Sequence, residues 1–198
     1  MVTETRGTTA VAVRHARPED AAVIATLHVA AWHETYTGLL PDAMIAALTV
    51  EVRRAWWAQR LGNSPPTRGG ATYLAELGGE PVGFGTCNGQ RVDVLAAAGF
   101  DGEVSSLYVL RAAQGRGVGL RLIARMARHL QTAEYRAAAT WVLRANHLGR
   151  RFYESCGGTL LDAEACIRGQ GPFTEVAYGW RELTALAAAD PGPRDGAG

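Results

Sequence analysis

The sequence predicts a mixed α/β fold of the α+β kind: one central, mostly antiparallel sheet with helices on both faces. Three observations predict it. Between Ala71 and Cys87 the hydrophobic period becomes two, with Gly78-Gly79 in the middle, the mark of an antiparallel hairpin. Glu103 to Val109 alternates as a strand and runs within five residues into a glycine cluster that opens an amphipathic helix. Helical patterns before and after give the order β, α, α, β, β, β, α, β, α, β, β.

Each element has a local reason. Val11-Ala-Val-Arg14 is the first strand, and Arg17-Pro-Glu-Asp20 puts proline and acids in the first turn of a helix running from Ala21 to Trp32. Asp42 to Leu61 carries apolar residues at Met44, Ile45, Leu48, Val52, Ala55 and Trp56, with a break near Thr49-Val50. Asn63-Ser-Pro-Pro-Thr-Arg-Gly-Gly70 ends it. The hairpin strands are Ala71–Leu77 and Pro81–Cys87, and Arg91 to Phe100 is an excursion before the strand Glu103–Leu110. Leu120, Ile123, Ala127 and Leu130 share one helical face. Ala138–Leu143 is a further strand, Asn146 caps a helix reaching Cys156, and strands near Thr159–Ile167 and Phe173–Trp180 close the domain. The domain is expected over residues 10–183, between a flexible N-terminus at 1–9 and a flexible C-terminal tail at 184–198 that includes Asp190-Pro-Gly-Pro-Arg-Asp-Gly-Ala-Gly198.

Composition bounds the function classes. The 198 residues suit one domain with its own core, and 47% hydrophobic content with 20% charge is ordinary for a soluble chain. A net charge of +1 suggests neither nucleic acid nor an anionic membrane as a partner. All twenty basic residues are arginine, which removes lysine as a Schiff-base nucleophile and as an internal acylation target. Cys87, Cys156 and Cys166 form no C-x-x-C, and no signal-like N-terminus or long apolar run is present, so a cytoplasmic location is expected. The five histidines show no metal spacing, and no metal is expected.

Gln114-Gly-Arg-Gly-Val-Gly119 carries the strongest chemical signal. Its glycines let the backbone approach a ligand, and the first-turn N–H groups of the following helix point at an anion, so a diphosphate is the expected ligand. A dinucleotide loop would need glycine where Leu120 stands, and a nucleoside-triphosphatase loop needs a lysine that the chain lacks. A second segment adds specificity. Asn146-His-Leu-Gly-Arg-Arg-Phe-Tyr153 sets Asn146, Gly149 or Arg150, and Tyr153 on one face of a short helix.

Together, the Leu107-Tyr108-Val109 strand, Gln114-x-x-Gly117-x-Gly119 and N-x-x-[AG]-x-x-F-Y-x-x-x-G resemble the Gcn5-related N-acetyltransferase superfamily over about residues 11–180. The resemblance implies the acyl-CoA N-acyltransferase fold and acetyl-CoA as cosubstrate. It implies that Leu107 and Val109, flanking Tyr108 on a splayed strand, hold the pantetheine arm, as strand addition would. The amides of Gln114, Gly115, Arg116, Gly117, Val118, Gly119 and Leu120 are then expected to wrap the pyrophosphate, Asn146 to bind the pantetheine side and Tyr153 to face the sulfur. Five arginines and no acid lie between Val104 and Ala133. Arg111 and Arg116 are read as phosphate-directed, and Arg121, Arg125 and Arg128 as a solvated helix face.

Acetyl transfer to an amine needs a base, an oxyanion donor and an acid for the departing thiolate. Glu103, eleven residues before Gln114, matches in spacing the catalytic glutamate of histone-acetylating relatives and is the expected base, with a water chain as the alternative. The N–H of Leu107 or Val109 is the expected oxyanion donor, contributing on the order of 3 kcal/mol. Tyr153 is the expected acid, since a phenol near pKa ~10 donates to a thiolate near ~8.5 with little imbalance. The cysteines read as small buried hydrophobes, so direct transfer is expected over a covalent acetyl-enzyme.

Ala31-Trp-His-Glu-Thr-Tyr-Thr-Gly-Leu-Leu-Pro41 resembles the acceptor-side helix and loop of small-molecule members, including polyamine-type enzymes. Trp32, Glu34 and Tyr36 are expected to line the pocket of a cationic amine, with Glu34 its charge partner and Ser105 contributing; packing of the two aromatic residues on the sheet is the competing reading. The expected function is acetyl transfer to a small-molecule amine. Acetylation of a protein N-terminus or lysine, and noncatalytic acyl-CoA sensing, are the alternatives. A homodimer is common in the family.

Overall fold

Seven strands form one sheet in the order β1-β2-β3-β4-β5-β7-β6 in the computed structural model, which describes residues 10–62, 70–166 and 173–190. β1 (Val11–His15), β2 (Ala71–Leu77), β3 (Glu80–Gly89) and β4 (Gly102–Val109) pair antiparallel in succession. β5 (Ala138–Leu143) joins β4 in parallel, and β7 (Thr174–Trp180) lies between β5 and β6 (Thr159–Cys166), antiparallel to both. The hairpin turns at Gly78 and Gly79, whose φ values of 64° and 88° need residues without a Cβ.

Helices cover both faces because alternate strand residues are apolar in both directions. On one face α5 (Val118–Thr132) presents Leu122, Ile123, Met126 and Leu130, all fully buried, to Ala75, Cys87, Val104 and Val142. Each such side chain contributes roughly 1.5–3 kcal/mol by leaving water. The other face takes α1 (Ala21–Tyr36) and α3 (Val50–Gly62), whose Ile24, Leu27 and Trp57 meet Leu74 and Phe84. α2 (Asp42–Ala46) precedes α3, and α4 (Asp93–Ala97) forms the excursion before β4. His28 is a core group: Trp57 Nε1 donates to its Nδ1 at 3.3 Å, and burial pushes the imidazole down to about 3.

Three expectations are corrected. α1 runs on to Tyr36, so Trp32–Tyr36 is helix and not loop. The chain from 184 is not a tail throughout: α7 (Thr184–Ala188) buries Leu186 and Ala187 against the α5 core, and Asp190 is buried. Arg121, Arg125 and Arg128 do not form a solvated face, because all three lie 3.5–3.9 Å from the Asp190 carboxylate. Arg128 also donates to the carbonyls of Ala187 and Asp190, and Arg121 to that of Val11. These arginines pin the chain's far end to α5. The expected segments 1–9, 63–69 and 191–198 lie outside the described residues, as does Ile167 at the end of the expected sixth strand.

Candidate active site

The parallel junction of β4 and β5 creates the site. Their pairing is confined to Gly102↔Ala138 and Glu103↔Ala139, and beyond it the two strands part. A cavity of about 560 Å³ fills the divergence, lined by Ser105–Val109 on one side and Thr140–Val142 on the other. The turn before α5 and the start of α6 (His147–Ser155) close its ends.

The glycine turn forms the anion-binding wall. Gly115 and Gly117 have φ values of 71° and 80°, and a Cβ on either would meet nothing within 4 Å, so their surfaces face open space. Gly117 caps α5 in the left-handed region. The first-turn N–H groups of α5 have no intrahelical acceptor, and such groups at a glycine-rich helix start are the chemistry of a phosphate cradle. Gly119 serves differently: a Cβ there would press on the Phe152 ring at 3.1 Å, so the glycine lets α5 pack against α6. Gln114 folds back, its Nε2 donating to the Val109 carbonyl at 3.1 Å. Arg111 and Arg116 are exposed beside the cradle, Arg111 at the cavity wall.

α6 supplies the other wall. Asn146 caps the helix, its side chain accepting from the Gly149 N–H at 2.9 Å, and also lines the cavity. About two turns later Tyr153 is buried against Phe152, Tyr178 and Trp180 and still lines the cavity. Burial pushes its phenol up to about 12, partly offset by a hydrogen bond with Thr140. Tyr108 and Tyr36 share a further hydroxyl hydrogen bond in the same wall, and burial pushes both phenols up. Cys156 also lines the cavity; it is half-buried, not fully buried as expected, and desolvation raises its thiol. Cys87 is fully buried, and desolvation pushes its thiol up to about 12.

The remaining expected residues separate. Ser105 is in the wall, its Oγ 2.8 Å from Thr86 Oγ1 and accepting from Asn88 Nδ2 at 2.7 Å, so its position is fixed from beneath. Glu34 and Tyr36 line the cavity, but one Glu34 oxygen already accepts the Arg111 N–H at 2.7 Å. Trp32 does not line it; the ring lies 4.4 Å from that of Tyr36 and packs over Leu40, Ile45 and Leu143. Glu103 is likewise outside the lining. It is buried and both its oxygens accept from Arg91, at 2.9 and 2.8 Å, which makes it an ion-pair partner and not a base facing the cavity. Thr140, Trp141 and Phe152 are wall residues that the sequence did not single out. Thr140 sits inside an ordinary strand pattern, which carries no signal of its own.

Known proteins resemble this chain in sequence and in fold. The uncharacterised N-acetyltransferase YuaI of Bacillus subtilis is 27% identical over 176 residues, covering 89% of this chain and 96% of its own length. The PaiA N-acetyltransferase of Thermoplasma acidophilum, solved with coenzyme A, superposes with a TM-score of 0.69 at 16% identity, over 86% of this chain and 99% of its own. YncA of Salmonella typhimurium, solved with acetyl-CoA, gives 0.62 at 21% identity, over 92% and 99%. These two structures share the fold. Residues 29–158, more than half of the sequence, match the acetyltransferase (GNAT) family, and the chain belongs to that family.

Proposed function

We propose that this protein transfers an acetyl group from acetyl-CoA directly to the nitrogen of a small-molecule amine. The observation that carries the reading is one cavity whose wall is shared by the glycine turn, the parted edge of β4 and Tyr153. The residues fit the cosubstrate. The first-turn amides of α5 suit a diphosphate, and the edge of β4 that β5 leaves open beyond Glu103 suits an extended amide-bearing arm. That two neighbours of the same fold were solved with coenzyme A and acetyl-CoA supports the assignment.

Acetyl-CoA, when bound, supplies a thioester carbonyl for the amine to attack. The chain does the rest. Leu107 and Val109 orient the arm, Gly115 to Leu120 neutralise the phosphates, and Asn146 offers its free amide hydrogens to the arm. Tyr153 stays protonated at neutral pH and donates its proton to the departing sulfur; the dry wall that raises the phenol raises a nascent thiolate as well. With Glu103 committed to Arg91, proton removal from the acceptor ammonium falls to water in the cavity. Small acceptors suit a cavity of about 560 Å³ to whose wall the α1 end at Glu34–Tyr36 contributes.

The test is thiol release from acetyl-CoA across primary amines, polyamines, amino acids and short peptides. Release that depends on a small amine is expected. Binding without acceptor-dependent release would overturn the enzyme reading, and release with peptides alone would overturn the small-molecule reading.

A further inference from the structure

Glu175 is a half-buried acidic group next to residues of the cavity wall, and the described residues offer its charge no counter-ion. It pairs across the sheet with Leu143, and strand alternation sets it on the face opposite Val176 and Tyr178, which belong to the α5 core. On its own face Leu143 joins a cluster closed over by Trp32, Tyr36 and Phe173. Trp141, diagonal to Glu175 across the β5–β7 pair, belongs to the cavity wall, as does Tyr36, whose phenol responds to the Glu175 charge. Among the described residues no hydrogen-bond or ion-pair partner is recorded for this half-buried carboxylate. By contrast the Glu103 carboxylate is paired with Arg91 and that of Glu164 with Arg144, while one Glu34 oxygen accepts the Arg111 backbone N–H. Desolvation pushes the Glu175 carboxyl up, and a cation beside it would favour its charged form.

A carboxylate flanked by aromatic rings is the chemistry that holds an organic ammonium, through ion pairing and the faces of the rings. Glu175 stands beside the cavity lining and not in it, so the cation it meets is away from the reacting nitrogen. We infer that Glu175 receives a second cationic group of the acceptor, and that the preferred acceptors are diamines or other amines carrying a positive charge remote from the acetylated nitrogen. This inference rests on the amine-acetyltransferase reading and assigns to Glu175 the charge-partner role expected of Glu34. Trp32, outside the cavity wall, acts here as a positioning residue for the cluster.

The experiment measures thiol release with a straight-chain diamine and the monoamine of equal length, for the unaltered protein and Glu175→Gln. The unaltered protein should favour the diamine in kcat/KM. Glu175→Gln should lower the diamine-to-monoamine ratio about tenfold to a hundredfold, the worth of one charge-assisted contact, with the loss carried by KM. Calorimetry with acetyl-CoA shows whether the variant is folded; if it is not, the ratio of the unaltered protein decides by itself. Equal kcat/KM for the two amines, or a ratio that Glu175→Gln leaves unchanged, overturns the inference while monoamine turnover keeps the enzyme reading intact. No release with any amine overturns both.

Discussion

Replacing Gly117 by alanine separates a phosphate cradle from a glycine-rich structural turn. Gly117 has φ 80° and Gly79, at the β2–β3 hairpin tip, has φ 88°; a Cβ on either meets nothing within 4 Å. The cost to folding is therefore the same in kind, left-handed backbone strain of about 1–2 kcal/mol, with no clash added. For a chain of this size that lowers Tm by roughly 2–8 °C in each variant. Only Gly117 lines the cavity. Its added methyl occupies open space at the start of α5, and the loss of one charge-assisted hydrogen bond to a phosphate there costs about 1.5–3 kcal/mol. Coenzyme A should accordingly bind Gly117→Ala roughly 10- to 150-fold more weakly, while Gly79→Ala binds as the unaltered protein does. Titration calorimetry and thermal melts on the two variants measure both quantities. Equal coenzyme affinity in both, at equal loss of Tm, would refute the cradle and leave a turn.

Three further outcomes follow from the same geometry. Tyr153→Phe should lower kcat on the order of 100-fold, with coenzyme affinity in calorimetry nearly unchanged, since only the donated proton is removed; an unchanged kcat removes the acid role. Acidification should unfold the protein through His28, whose folded pKa of about 3 lies below its ordinary 6.5. A depressed folded value means that the stabilisation is whole above about pH 6.5 and is lost as pH falls toward 3, at roughly 1.4 kcal/mol per pH unit. Urea titrations at pH 7 and 5 should differ by about 2 kcal/mol, and His28→Gln, which still accepts from Trp57, should flatten that difference. Asp190→Ala should lower Tm by several degrees, about 1–2 kcal/mol after allowance for the partial exposure of its arginines, and leave coenzyme affinity alone; a coenzyme effect would show that the α7 anchor reaches the site.

The amino-acid order by itself determined whatever is settled by neighbours in the chain. The hairpin was legible because Gly78-Gly79 interrupts a period of two, the N-cap because Asn146 stands three residues before the amide it accepts from, and the cradle because its glycines and the helix start are contiguous. Tertiary structure decided everything that needs two distant segments. Asp190 meets Arg128 across 62 positions, so a row of arginines at helical spacing reads as a solvated face until its counter-ion is placed. Glu103 looks like a free carboxylate until Arg91 claims both its oxygens. The parting of β4 from β5 after two paired residues, which opens the cavity and sets Thr140 beside Tyr153, has no local signature. Backbone propensity and capping act over a few residues, whereas a charge or a strand edge acquires its role only from the partner that folding brings to it.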